Sequence, residues 1–151
     1  MEVPSHIVRY PTKEAIERLA ARFGFPTGPN MQDWEWEVAD HSRIDEFQAA
    51  YETGGLSEDE KFTLMETILE SFEDMARVSA DLSSDTRWAR TLAVLERNIS
   101  LHAHSVWYWS CLEAEGPEEM FHVSPFIRQI LAAHQALFAE PGAGDGPPPV
   151  T

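Results

Sequence analysis

The sequence predicts an all-α protein: a helical bundle of about five helices around one long central helix, followed by a flexible Pro/Gly-rich C-terminal tail. Three observations point there. Apolar residues recur at three- and four-residue spacing through most of the chain. Helix-start and helix-stop residues punctuate those runs where the periodicity breaks. Only one short stretch, 34–38 (Trp-Glu-Trp-Glu-Val), alternates as a strand would, and no clear second stretch offers to pair with it. Residues 1–139 read as a single helical domain and 140–151 as a disordered tail.

Thr12 is placed to cap a first helix over about 13–23, with Ile16, Leu19, Ala20 and Phe23 on its apolar face and Gly24 and Pro26 behind it. A loop with Pro26, Gly28 and Pro29 follows. The alternating stretch 34–38 reads as an extended arm or the start of a helix. A second helix spans about 43–52, capped by Ser42 and stopped by Gly54 and Gly55, with Ile44, Phe47 and Tyr51 on one side.

Ser57 and Glu60 form a capping box, in which the cap hydroxyl and a carboxylate three residues on satisfy two free amides at a helix start. The acids 58–60 also lie at the favourable end of the helix dipole. This third helix runs to about Ala80. Its stripe is Phe62, Met65, Leu69, Phe72 and Ala76, with Ile68 and Met75 alongside.

After a turn at 83–85, one long helix is expected over about 86–115, roughly 45 Å at 1.5 Å per residue. Trp88, Leu92, Leu95, Ile99, His102, Val106 and Trp109 recur by alternating fours and threes, a seam with a 3.5-residue period. Ser124 followed by Pro125 opens the last helix, to about Ala139, lined by Phe126, Ile130, His134 and Phe138.

Charge excludes several functions. The 151 residues hold 26 acidic and 11 basic groups, a formal charge of −15. Such a surface repels phosphate, so nucleic acid and anionic membrane are excluded as general partners. The charge is concentrated: residues 31–86 carry sixteen acids and three bases. One cysteine allows no internal disulfide. The N-terminus lacks a basic start followed by an apolar run, and no stretch approaches the roughly 20 apolar residues of a membrane span. The expected location is cytoplasmic.

Chemistry-bearing patterns are sparse. Glu119 and His122 have the Glu-x-x-His spacing of di-iron bundles, but no second such pair exists. There is no His-Glu-x-x-His, Cys-x-x-Cys, glycine-rich phosphate loop or Gly-x-Ser-x-Gly elbow. No metal and no cofactor is therefore expected. Cys111 reads as a structural thiol, since His104 lies two helical turns away.

Two regions attract functional readings. Glu66, Glu70 and Glu73, with Asp74 beside them, lie opposite the apolar stripe of the third helix and are expected to face water. They form either a solvated face or a docking surface for a basic partner, with Trp34 and Trp36 as anchors if exposed. The second region is 101–112, apolar nearly all round, which is either the centre of the domain or a surface for a second copy. There His102, His104, Trp107 and Tyr108 are candidates for self-association or for a pocket. His102 and His104 are two apart on a helix and point away from each other, so they cannot share a metal. The leading expectation is a non-enzymatic protein-binding module, inhibitor-like or adaptor-like, that docks a basic protein through residues 31–86. The alternatives are a homodimer built on the long aromatic helix, and a ligand binder or enzyme with a Trp/Tyr/His pocket.

Overall fold

The computed structural model describes residues 2–28, 32–78 and 81–139; the expected tail and the last residues of the third expected helix lie outside them. Among the described residues every regular element is helical. The α-helices are α1 (Lys13–Phe23), α2 (Trp34–Glu37), α3 (Ile44–Thr53), α4 (Glu58–Val78), α5 (Thr86–Arg97), α6 (Ile99–Trp109), α7 (Ser124–Ala133) and α8 (Gln135–Phe138). The all-α bundle holds, but its long central helix is α4, not the expected helix over 86–115.

The chain divides into two compact units. One comprises Tyr10–Thr91, the other Met1–Arg9 with Leu92–Thr151. In the first, α4 packs against α1, α2 and α3. Phe62, Met65, Leu69 and Phe72 of the predicted stripe, with Ile68 alongside, are at most 1% exposed and form its core, while Ala76 at the end of the stripe is only half-buried. The capping box forms as expected: Glu60 N donates to Ser57 Oγ at 3.2 Å and Ser57 N to Glu60 Oε1 at 3.3 Å. Thr12 Oγ1 accepts from Ala15 N at 3.1 Å, and Gly24 closes α1 with a φ of +74° that suits glycine.

A second stripe on α4 is polar yet buried. Thr63, Thr67 and Ser71, four apart, are 0%, 2% and 0% exposed. Thr63 Oγ1 donates back to the Asp59 carbonyl of the same helix at 2.9 Å, while Thr67 and Ser71 hold the segment that enters α3. Thr67 Oγ1 donates to the Glu35 carbonyl at 2.7 Å, and Ser71 Oγ accepts from Asp40 N at 3.0 Å. The stretch 34–38 is accordingly no extended arm. It makes one helical turn, in which Glu37 N bonds back to Asp33 O at 3.0 Å. The entry to α3 also differs from expectation. Ser42 does not cap α3, which begins without a side-chain cap; it lies in a short 3-10 turn, His41–Arg43, whose capping oxygen comes from Asp40 and accepts from Ser42 N at 2.9 Å.

Aromatic rings fill the space beside α3. Phe23 meets Phe47 edge-on at 5.2 Å, and Phe25 meets Trp34 at 5.9 Å. The Arg43 guanidinium sits 4.6 Å over the Phe25 ring, donates to the Phe23 carbonyl at 3.0 Å, and pairs with Glu46 through two hydrogen bonds.

In the second unit, α6 packs against α7, α8 and the turn Ser5–Ile7. The stretch 86–115 is not one helix. It breaks at Asn98, whose φ of −113° and ψ of 39° leave the helical region, although His102 N still reaches the Asn98 carbonyl at 3.1 Å. Asparagine side chains compete for nearby backbone groups, which weakens a helix interior. The helix then ends at Trp109 rather than near Glu115. Cys111 follows with a φ of +51°, a left-handed conformation that terminates α-helices. The seam still largely predicts burial: Trp88, Leu95, His102, Val106 and Trp109 are at most 2% exposed.

The last predicted helix is likewise two, broken at His134 (φ −126°, ψ 34°). Ser124 is its first residue rather than its cap, and the Ser124 hydroxyl is used elsewhere, donating to the Trp109 carbonyl at 2.8 Å.

Candidate functional site

The acidic face of α4 is not the exposed face that helical spacing suggests. Glu66 is 8% exposed and Glu73 1%. Glu70 and Asp74 are half-buried. The reason is that α4 is covered by three other helices, so the side opposite its apolar stripe is also enclosed. Arg77 binds Asp74 at 3.0 Å and Glu73 at 3.6 Å. Glu70 Oε2 is inaccessible to solvent and has no hydrogen-bond partner. Burial, reinforced by Asp74 and Glu73 and opposed by Arg77, pushes the Glu70 carboxyl up to about 7. Burial also raises Asp74, against the lowering pull of Arg77 and His41. The Glu70 carboxyl can therefore hold or release a proton near neutral pH.

Trp34, expected as an anchor for a partner, belongs to the core. It is 4% exposed and its indole N–H donates to the Pro26 carbonyl at 2.9 Å. Trp36 is half-buried. Between them Glu35 is 5% exposed, with Oε1 unpartnered, and burial raises its pKa ahead of the smaller contributions from Asp33 and Glu37.

The carboxylates of this unit that do face solvent are others. Within 31–86 they are Asp33 just before α2 and Glu37 at its end, Asp45, Glu46 and Glu52 on α3, Glu58 and Asp59 on the first turn of α4, and Asp81. The charge count includes all of these residues. Helical spacing on α4 selected the wrong subset, because it says nothing of how many sides of a helix are covered. The basic groups of the segment are engaged locally: Arg43 with Glu46, Arg77 with Glu73 and Asp74, and Lys61 at 5.6 Å over the Tyr51 ring.

The aromatic half of α6 is buried on one side and open on the other. His102 is 0% exposed, as expected of a core histidine. His104 is half-buried, and its Nδ1 meets the backbone of Arg9. Trp107 is half-buried, whereas Tyr108 is 36% exposed. Tyr108 packs on Phe121 at 5.8 Å between centroids, and Phe121 packs on Trp109 at 4.7 Å. No spacing rule links Tyr108 to Phe121, since they meet across an irregular loop.

That end of α6 is firmly held. Arg128 donates through Nε to the Ser110 carbonyl at 2.7 Å and through Nη2 to the Cys111 carbonyl at 2.5 Å. The guanidinium thus satisfies carbonyls that a helix end leaves free and places a cation at the negative end of the dipole. The Cys111 thiol faces the Glu119 carbonyl at 3.7 Å. The Glu119–His122 spacing falls on the turn Pro117–Glu119 and the loop after it, not on a helix.

Among the described residues, no group of three or more His, Cys, Asp or Glu is placed to hold a metal ion. Among them also, no helix is long and apolar enough to cross a membrane. The chain matches no protein-family model, and comparison with curated proteins and with solved structures finds no match either.

Proposed function

We propose that this chain is a cytoplasmic, non-enzymatic protein-binding module that docks a basic protein through the exposed carboxylates of residues 31–86. One observation carries the reading: sixteen acids stand against three bases there, and the bases are already engaged by neighbouring side chains. The field of the exposed acids therefore acts outward. Over a Debye length of about 8 Å at physiological ionic strength it attracts cations and speeds encounter with a basic surface. The contact residues on this reading are Asp33, Glu37, Glu52, Glu58 and Asp59, with half-buried Trp36 as the adjoining apolar group. Glu66 and Glu73 are excluded by burial.

The test is capture from a native lysate at low salt, elution by rising salt, and a parallel capture with the triple variant Glu37→Lys, Glu52→Lys, Glu58→Lys. These positions are exposed, so the variant should keep the wild-type circular dichroism. A small set of basic proteins that the variant loses supports the reading. An identical eluate from a folded variant refutes it.

A further inference from the structure

We propose that Tyr108 and Phe121, at the end of α6, receive an apolar side chain from a basic segment of a partner protein, whose cations meet the glutamates of the adjoining loop. This surface lies in the unit that contains α6, not in the acidic segment 31–86, so it stands apart from the reading above.

The floor of the surface is an extension of the core. Tyr108 is 36% exposed, while Trp109, which touches both Tyr108 and Phe121, is 2% exposed. The two ring planes are tilted by 31°, with centroids 5.8 Å apart. The backbone beneath is pinned from two sides, by Arg128 on the Ser110 and Cys111 carbonyls and by Ser124 on the Trp109 carbonyl. Rigid aromatic groups on a fixed backbone lose little conformational freedom on binding, which is why such groups anchor interfaces.

The rim selects the occupant. Glu113, Glu115, Glu118 and Glu119 are all exposed. The loop that carries them is folded on itself by the contact of the Cys111 thiol with the Glu119 carbonyl and by Glu115 N donating to Glu119 Oε2 at 3.0 Å. No lysine or arginine occurs between Arg97 and Arg128, and the Arg128 guanidinium is committed to backbone carbonyls. An apolar patch beside four carboxylates complements a segment in which Lys or Arg flanks an apolar residue. The same rim disfavours a second copy, which would set two groups of glutamates against each other in chains of charge −15.

The experiment uses the full chain and a synthetic peptide with two central leucines flanked on each side by three lysines. Amide resonances are followed during titration at physiological salt. Shifts centred on 108–121 are expected. Replacing the leucines by serine should weaken binding about tenfold or more, as should Tyr108→Ser, while Tyr108→Phe should stay within about twofold. The double variant Glu118→Gln, Glu119→Gln should weaken it and flatten its salt dependence. Equal binding by the serine peptide overturns the proposal, because bare charge attraction then explains it. Shifts confined to 33–60 also overturn it, while leaving the acidic-segment reading intact. A dimer in light scattering that Tyr108→Ser dissociates assigns the surface to a second copy and overturns it too.

Discussion

The Thr67 hydroxyl donates to the carbonyl of Glu35 at 2.7 Å, from the middle of the longest helix to the middle of a single helical turn. Both partners are buried, Thr67 at 2% and Glu35 at 5% exposure. This bond and the one from Asp40 N to Ser71 Oγ attach the segment 34–40 to α4. Thr67→Val keeps the shape and strands the carbonyl. We expect a loss of about 1–3 kcal/mol in urea unfolding, and a smaller loss for Thr67→Ser, which retains the donor. Equal stability of Thr67→Val and wild type would show that the bond contributes nothing net.

Glu70 makes stability fall as pH rises through neutrality. Its folded-state value is raised from 4.5 to about 7, so the folded protein holds the proton more tightly than the unfolded chain. That contribution is fully present below about pH 4.5 and is lost as pH climbs through 7. Because Glu70 is only half-buried, solvent reduces the effect, and we expect a loss of about 1–2 kcal/mol between pH 5 and pH 8. Glu70→Gln should abolish most of this slope. Asp40, Glu46 and Asp85 are lowered, mainly by hydrogen bonds from Ser42, Arg43 and Arg87, and they act in the opposite sense at acid pH. Maximum stability is therefore expected at mildly acidic pH, and an unchanged slope in Glu70→Gln would remove Glu70 as its source.

Arg128 terminates α6 from a distance of seventeen and eighteen residues. Arg128→Ala should cost about 2–3 kcal/mol, since two charge-assisted hydrogen bonds are lost and two carbonyls are left without that partner. Arg128→Lys should recover less than half of it, because a single ammonium does not reproduce a planar fork reaching two carbonyls. Full recovery by lysine would mean that charge alone matters at this helix end.

Cys111 holds a left-handed backbone, φ +51°, that side chains resist. Cys111→Gly should leave stability unchanged or raise it by up to about 1 kcal/mol, despite the lost thiol contact. Cys111→Val, branched at Cβ, should lower it by more than about 1 kcal/mol. Thermal unfolding of both variants checks the ordering, and a valine variant as stable as the glycine one contradicts it.

The sequence by itself determined the structural class and the local punctuation. The capping box at Ser57 and Glu60, the Thr12 cap, the Gly24 stop and the apolar stripe of α4 from Phe62 to Phe72 depend on neighbours within a few residues, and all are found where spacing placed them. Tertiary structure decided the rest. Periodicity shows which residues share a helix face but not how many faces are covered, so Glu66 and Glu73 were expected in water and are buried beneath the helices around α4. The end of α6 is set by Arg128, far along the chain, where a 3.5-residue seam alone continued the helix. Tyr108 met Phe121 for the same reason: a loop, not a repeat, brings the two rings together, and no pattern within one helix records it.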